Sequence, residues 1–186
     1  MTEWWTHLDT MLDQVWLRLR RGVADRKAPS RYLVMATAGQ RGGAEARMVV
    51  LRGASREAGT LVAHTDTLSD KVAELRADPR ATLLMWDPKA MLQARLKVEV
   101  GIDTGEAVGG QWRGVPEPAR RVYGGMPPPG DVLLEPQELV ETSAQDRFAV
   151  MTCKVREIDA LVLSTPKHHR ALYRWQNNWA GRWIAP

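Results

Sequence analysis

Cysteine is almost missing from this chain: Cys153 stands alone among 186 residues, so no intramolecular disulfide can form. With no apolar leader run at its start, the expected setting is a reducing cytoplasm. No apolar stretch approaches the roughly 18 residues of a membrane span, and a soluble protein without a membrane partner is expected. A G-x-G-x-x-G turn is lacking, which argues against a Rossmann-type dinucleotide site. There is also no G-x-S-x-G elbow to support Ser-His-Asp catalysis. Net charge is only +4, and the basic residues are spread along the chain rather than gathered in a strip, so nucleic acid is not an expected partner. Neither repeats nor low-complexity tracts interrupt the chain.

What is present is a succession of short alternating segments. Arg31 to Ala38 reads as a strand, Gly39 to Gly43 as a hairpin turn, and Ala46 to Ala54 as a second strand. Its period of two puts Arg47, Val49 and Leu51 on one face and Met48, Val50 and Arg52 on the other. A turn over 54–58 leads to a returning strand, Gly59 to Thr65. Residues 81–87 and 90–103 supply two more strands, 147–156 and 159–164 alternate as a further pair, and 168–175 opens another. Helical spacing is confined to a few places. Trp4, Leu8, Met11, Leu12, Val15, Trp16 and Leu19 form an amphipathic stripe over residues 3–21, and Leu68, Val72 and Leu75 form a second. Short helices are expected over 117–123 and 135–143, with Pro127 to Pro129 as a stiff surface loop. Strands outnumbering helices and joined by short turns point to a mainly β (α+β) protein, an antiparallel barrel with flanking helices in one domain over 1–186.

The chemistry gathers between residues 47 and 71. Arg47 shares a face with apolar neighbours and needs an anionic partner, because an unpaired buried charge is costly. Thr65, Asp66, Thr67 and Ser69 precede a helix whose free N–H groups favour an anion, and Lys71 lies in its first turn. A phosphate would satisfy these groups together. Elsewhere the signals are structural: Cys153 sits in an apolar strand and reads as inert core. Trp175, Trp179 and Trp183 are expected to form a C-terminal aromatic cluster. His168 and His169 would point to opposite faces of a strand, which argues against a metal site.

The residues of this region resemble the pyridoxamine 5'-phosphate oxidase-like, FMN-binding split-barrel superfamily. A strand of the form R-x-V-L-[KR] is resembled by Arg47-Met48-Val49-Val50-Leu51-Arg52, the next strand ends in His64-Thr65, and Ser69-Asp70-Lys71 opens the helix as S-x-K. Downstream, Asp78-Pro79-Arg80 leads into ATLLMW, Gln93-Ala94-Arg95-Leu96 is similar to Q-V-R-I, and His168-His169-Arg170-Ala171-Leu172-Tyr173 resembles the closing H-D-R-x-x-Y. The likeness spans roughly 30–186, with the N-terminal helix outside it. It implies an antiparallel split β-barrel binding FMN non-covalently at a homodimer interface. The implied cofactor residues are Arg47, Met48, Val49, Leu51, Arg52, His64, Thr65, Ser69, Lys71, Gln93 and Arg170. Arg47, Thr65, Ser69 and Lys71 belong near the phosphate and ribityl chain; Arg52, Gln93 and Arg170 belong nearer the ring.

Three departures from the family pattern bear on substrate. Asp70 replaces a basic residue and is expected to face away from the ligand. Leu161 stands near the place of a tryptophan that covers the flavin. The R-x-H pair that holds the oxidase's phosphorylated substrate is Pro166 and His168 here, and the segment Gln111 to Gly130 lacks the matching serine and arginine pattern. The resemblance therefore implies an oxidoreductase with a small-molecule substrate other than pyridoxamine 5'-phosphate, His168 being the candidate substrate contact. A non-catalytic flavin carrier or sensor is the alternative, and haem or a deazaflavin could replace FMN as in some relatives.

Overall fold

In a computed structural model, which describes residues 3–186, eight antiparallel strands form one sheet. They are β1 (Tyr32–Ala38), β2 (Ala44–Ser55), β3 (Thr60–Asp66), β4 (Arg80–Asp87), β5 (Leu92–Thr104), β6 (Phe148–Val162), β7 (His169–Arg174) and β8 (Gly181–Ile184). The order β3-β2-β1-β4-β5-β6 closes on itself through β3–β6 pairing, giving a six-stranded barrel, and β7 and β8 extend it as a flap. The fifteen-residue β6 makes this possible. Its first half pairs with β3 (Phe148 opposite Asp66 to Lys154 opposite Thr60), its second half pairs with β7, and β5 follows it throughout. Closure removes most of the exposed strand edge that would otherwise recruit other chains.

Inward positions alternate along each strand. Leu33 and Met35 of β1, Val49 and Leu51 of β2, and Leu83 and Met85 of β4 fill the interior. The amphipathic helix α1 (Leu8–Ala24) adds Met11, Leu12, Val15, Trp16 and Leu19 to the same core. It starts later and ends later than its apolar stripe suggested, because a separate 3-10 turn holds Trp4–Thr6. Gly22 lets α1 approach the next segment closely: a Cβ there would strike the Ser30 carbonyl and the Arg31 amide, both main-chain atoms. Gly22→Ala is therefore expected to destabilise by about 1–3 kcal/mol, the usual cost of overpacking, despite alanine's better helix propensity. Urea unfolding of the variant tests this, and unchanged stability would show that the backbone yields.

Several expected boundaries change. The pair of strands at 147–156 and 159–164 is one continuous strand, kinked by a bulge near Val155–Glu157 rather than broken. Helix formation over 135–143 is replaced by a 3-10 turn, Pro136–Glu138, and an isolated bridge between Met126 and Val140. The helix at 117–123 shrinks to α4 (Glu117–Arg120), preceded by α3 (Gly109–Gly114), which the pattern did not suggest. The aromatic cluster recruits Trp16 rather than Trp183: Trp179 meets Trp16 and Trp175 edge-on at 5.8 and 5.3 Å, whereas Trp183 meets His169. Cys153 is fully buried, and burial pushes its thiol up to about 12. No described helix is long and apolar enough to cross a membrane.

Candidate flavin site

The helix α2 (Asp70–Ala77) follows β3 directly, and the turn between them collects the expected phosphate ligands. Lys71 Nζ donates to Thr65 Oγ1 at 3.1 Å, the hydroxyls of Thr65 and Ser69 lie 3.0 Å apart, and Ser69 Oγ donates back to the Asp66 carbonyl at 2.8 Å. Ser69 occupies the N-cap position yet gives no side-chain cap, which leaves the first N–H groups of α2 available to an anion. Burial lowers the Lys71 pKa and the neighbouring Arg47 lowers it further, against the pull of Asp66, Asp70 and Glu74. A half-buried ammonium bonded to a hydroxyl rather than a carboxylate, next to a second cation, suits a phosphate oxygen.

Arg47 differs from its simplest expectation. Its guanidinium bonds Glu74 Oε2 at 2.8 Å and also Thr37, whose own hydroxyl donates to the same carboxylate oxygen at 2.6 Å. The anion that its half-buried position demanded is thus internal. Glu74, one helical turn beyond Lys71, went unnoticed because an acidic residue on a short surface helix carries no distinguishing signal. Asp70 does not leave the region: with Arg47, Arg41 and Glu74 it lines a cavity of about 250 Å³, and its carboxylate approaches Gly130. Of the other β2 residues in the expected set, Val49 and Leu51 point into the core, so only their backbone is open to a cofactor, while Met48 is 58% exposed.

Gln93 and Arg170 lie elsewhere in the chain. Gln93, Leu161 and Arg170 form a row across β5, β6 and β7, whereas Thr65 faces Ala149 near the start of β6. Twelve residues of β6 separate the two levels, a contour of roughly 40 Å at about 3.3 Å per residue. Arg52 is also remote from that row, so the expected ring-side group is divided within one protomer. Arg170 is engaged by Asp159 through bonds of 2.9 and 2.8 Å, and Arg95 adds a third contact. These hold the Asp159 carboxyl below its ordinary value, the Arg170 hydrogen bonds first. His168 is exposed beside this row, its Nδ1 3.2 Å from the Ser164 carbonyl oxygen.

At the Thr65 level, residues 105–147 fold over the outer face of β3 and β6 and bury a second small core of Trp112, Tyr123, Phe148 and neighbouring valines. Asp66 clamps this layer: it accepts two bonds of 3.0 Å from Arg147, one from the Gly124 amide at 2.9 Å and one from the Leu68 amide at 2.8 Å. His64 packs edge-on against Phe148 at 4.8 Å. Burial first, and the Arg52 charge second, bring its pKa down to about 4 from 6.5. The unfolded chain takes up that proton near pH 6.5 and the folded chain only near 4. The stability contributed by His64 is therefore complete above pH 6.5 and is lost as pH falls towards 4. His64→Phe should flatten the decline of the urea midpoint between pH 7 and 4.5. An equal slope in both proteins would assign that decline to other groups.

Residues 2–103 match the family model described as pyridoxamine 5'-phosphate oxidase, FMN-binding domain, so the N-terminal helix lies within the relationship rather than outside it. No curated protein matches the sequence. Among solved structures, a pyridoxamine 5'-phosphate oxidase-related, FMN binding protein from Nostoc punctiforme PCC 73102 superposes with a TM-score of 0.77 at 22% identity, over 94% of this chain and 96% of that one. PhzG from Burkholderia lata 383, solved with tetrahydrophenazine-1-carboxylic acid, gives 0.73 at 20% identity, over 94% and 91%. A protein from Clostridium acetobutylicum related to general stress protein 26 gives 0.58 at 11%, over 89% and 97%. These likenesses show a shared split-barrel fold, and the family match spans more than half of the sequence: the chain belongs to the pyridoxamine 5'-phosphate oxidase family of FMN-binding domains, whose cofactor is FMN.

Proposed function

We propose that this protein is an FMN-dependent oxidoreductase for a small organic substrate, working as a homodimer in which each flavin is held by both protomers. The observation that carries this reading is the division of the ligand set: Lys71, Thr65, Ser69 and Arg47 surround one level of the barrel, while Gln93 and Arg170 sit about twelve residues away along β6. One flavin cannot reach both groups within a chain, but a second copy can bring its Gln93 row to the first copy's Lys71. Exposed Met48 on β2 and exposed Trp86, which pairs with Gln93, provide apolar surface at both levels for such a contact.

Bound FMN supplies two-electron chemistry, accepting a hydride equivalent from one partner and passing electrons to another. The chain's own groups hold and orient. Lys71 and the hydroxyls of Thr65 and Ser69 offer charge-assisted and neutral donors to phosphate oxygens. Glu74 fixes the Arg47 fork in place. The amide of Gln93 is suited to the polar edge of a ring. Pro166 in place of an arginine argues against pyridoxamine 5'-phosphate as substrate.

Absorption spectra of the purified protein, before and after addition of FMN, test the cofactor, and light scattering on the same sample gives its mass. The expected result is one FMN per chain in a dimer, with bleaching under NAD(P)H or a substrate and recovery in air. Binding without bleaching by any donor would favour a carrier or sensor, and tight binding by a monomer would overturn the shared site.

A further inference from the structure

Residues 126–140 close into a loop beside the Lys71 turn. Met126 and Val140 exchange both main-chain bonds at its stem, at 3.0 and 2.9 Å, and the Gly124 amide just before it is held by Asp66. Gly130 approaches Asp70, where a Cβ would lie 3.3 Å from the carboxylate, so the loop borders the start of α2. Leu133 is half-buried against a small cavity within the loop. Its neighbours Val132 and Leu134 turn outward and are 89% and 88% exposed. Asp131, Glu135 and Glu138 flank them, and residues 126–140 contain no lysine or arginine. Large aliphatic side chains gathered in water mark a contact with another molecule.

A surface of the opposite charge lies on the outer face of β1, β4 and β5. Ala36, Thr82 and Lys97 stand opposite one another across the three strands, and with Ala38 these short side chains leave a cavity of about 540 Å³. Arg80, Lys97 and Arg156 line it against one carboxylate, Glu99. The three cations have acidic neighbours in Asp78, Glu157 and Glu99, but exposed pairs of this kind exchange partners at little cost. Lys97 lies four residues along β5 from Gln93 on the same face, about 13 Å away. A second copy that brings its Gln93 row to Lys71 therefore brings this cavity towards the loop as well.

We propose that the loop 126–140 is a clasp for a second copy of this chain: Val132 and Leu134 of one protomer seat in the cavity over β1, β4 and β5 of its partner, with Asp131 and Glu135 facing the cations around it. This assignment rests on the homodimer proposed above and names the element that aligns the two protomers about the shared flavin. Two-fold symmetry makes the contact twice, once at each flavin. The aliphatic pair supplies the buried apolar area, and the opposite charges fix the register and reject other approaches. A basic partner protein would satisfy the acidic loop but leave the cationic cavity unfilled, whereas one self-contact accounts for both surfaces.

Cross-linking of the full chain tests the contact. The double variant Val132→Cys, Ala38→Cys, treated with a short bismaleimide, should give chains of doubled mass on a denaturing gel; Cys153 is fully buried and takes no part. The control pair Val132→Cys, Leu17→Cys, whose second thiol sits on the exposed side of α1, should stay at single mass. On dilution, Val132→Ser, Leu134→Ser should move the dimer–monomer midpoint to at least tenfold higher concentration. Asp131→Lys, Glu135→Lys should move it severalfold, an effect that shrinks in high salt. Single mass from a protein that light scattering shows to be dimeric, doubled mass in the control as well, or an unshifted midpoint in the serine variant would each overturn the clasp and leave the shared flavin site standing. A monomeric unaltered protein would overturn the shared site itself, and the clasp with it.

Discussion

Lys71→Met should bind FMN about 10- to 150-fold more weakly than the unaltered protein, the roughly 1.5–3 kcal/mol of a hydrogen bond to a charged group. Riboflavin, which has no phosphate, should bind both proteins alike, so the ratio of the two affinities isolates the phosphate contact from any change in fold. Lys71 is the cleaner of the two cations to remove because its present bond goes to Thr65, a neutral hydroxyl. Arg47→Ala should cause a loss of similar size but also strip the cation from Glu74, whose side chain is only 5% exposed. Pairing it with Glu74→Gln separates the two effects. Glu74→Gln alone retains the hydrogen-bonding shape, unmasks the Arg47 charge and should strengthen FMN binding severalfold. Isothermal titration of apoprotein with FMN and riboflavin measures all four variants; unchanged FMN affinity in both Lys71→Met and Arg47→Ala would sink the phosphate assignment.

Arg147→Ala is expected to cost about 3–5 kcal/mol of folding stability, the penalty for leaving one member of a buried ion pair alone. Asp66 and Arg147 are 5% and 12% exposed and meet through two parallel bonds. At roughly 2–4 °C per kcal/mol for a chain of this size, the melting temperature should fall by about 6–20 °C. The double variant Asp66→Asn, Arg147→Met should recover part of that loss, since it removes the stranded charge as well as the bond. Loss of the clamp should also loosen residues 105–147, because Asp66 holds the Gly124 amide through the same carboxylate. Limited proteolysis within 120–145 would report this. A melting temperature within 2 °C of the unaltered protein would mean that the valine and aromatic contacts hold the layer without the clamp.

The strands were legible because they are half-buried: period-two alternation marks β1, β2 and β4, and their observed bounds fall within two residues of the sequence reading. The Lys71 turn was legible for a different reason, since hydroxyls and a lysine packed into seven residues leave few geometries. Residues 105–147 were misread in detail. Their prolines and glycines forbid long helices, but which short turns form depends on the barrel face they cover, and Trp112 and Tyr123 find their place only against Phe148. Strand β8 was missed because Gly181–Ile184 is only four residues long and pairs only through β7.

From the sequence alone came the antiparallel barrel and the family, because each rests on local periodicity or on residues close together in the chain. Tertiary structure decided the rest. Contacts between groups far apart in sequence set Glu74 against Arg47 and Asp66 against Arg147. The placement of Gln93 and Arg170 along β6, which separates them from Lys71, likewise follows from strand register, a long-range property that no local pattern encodes.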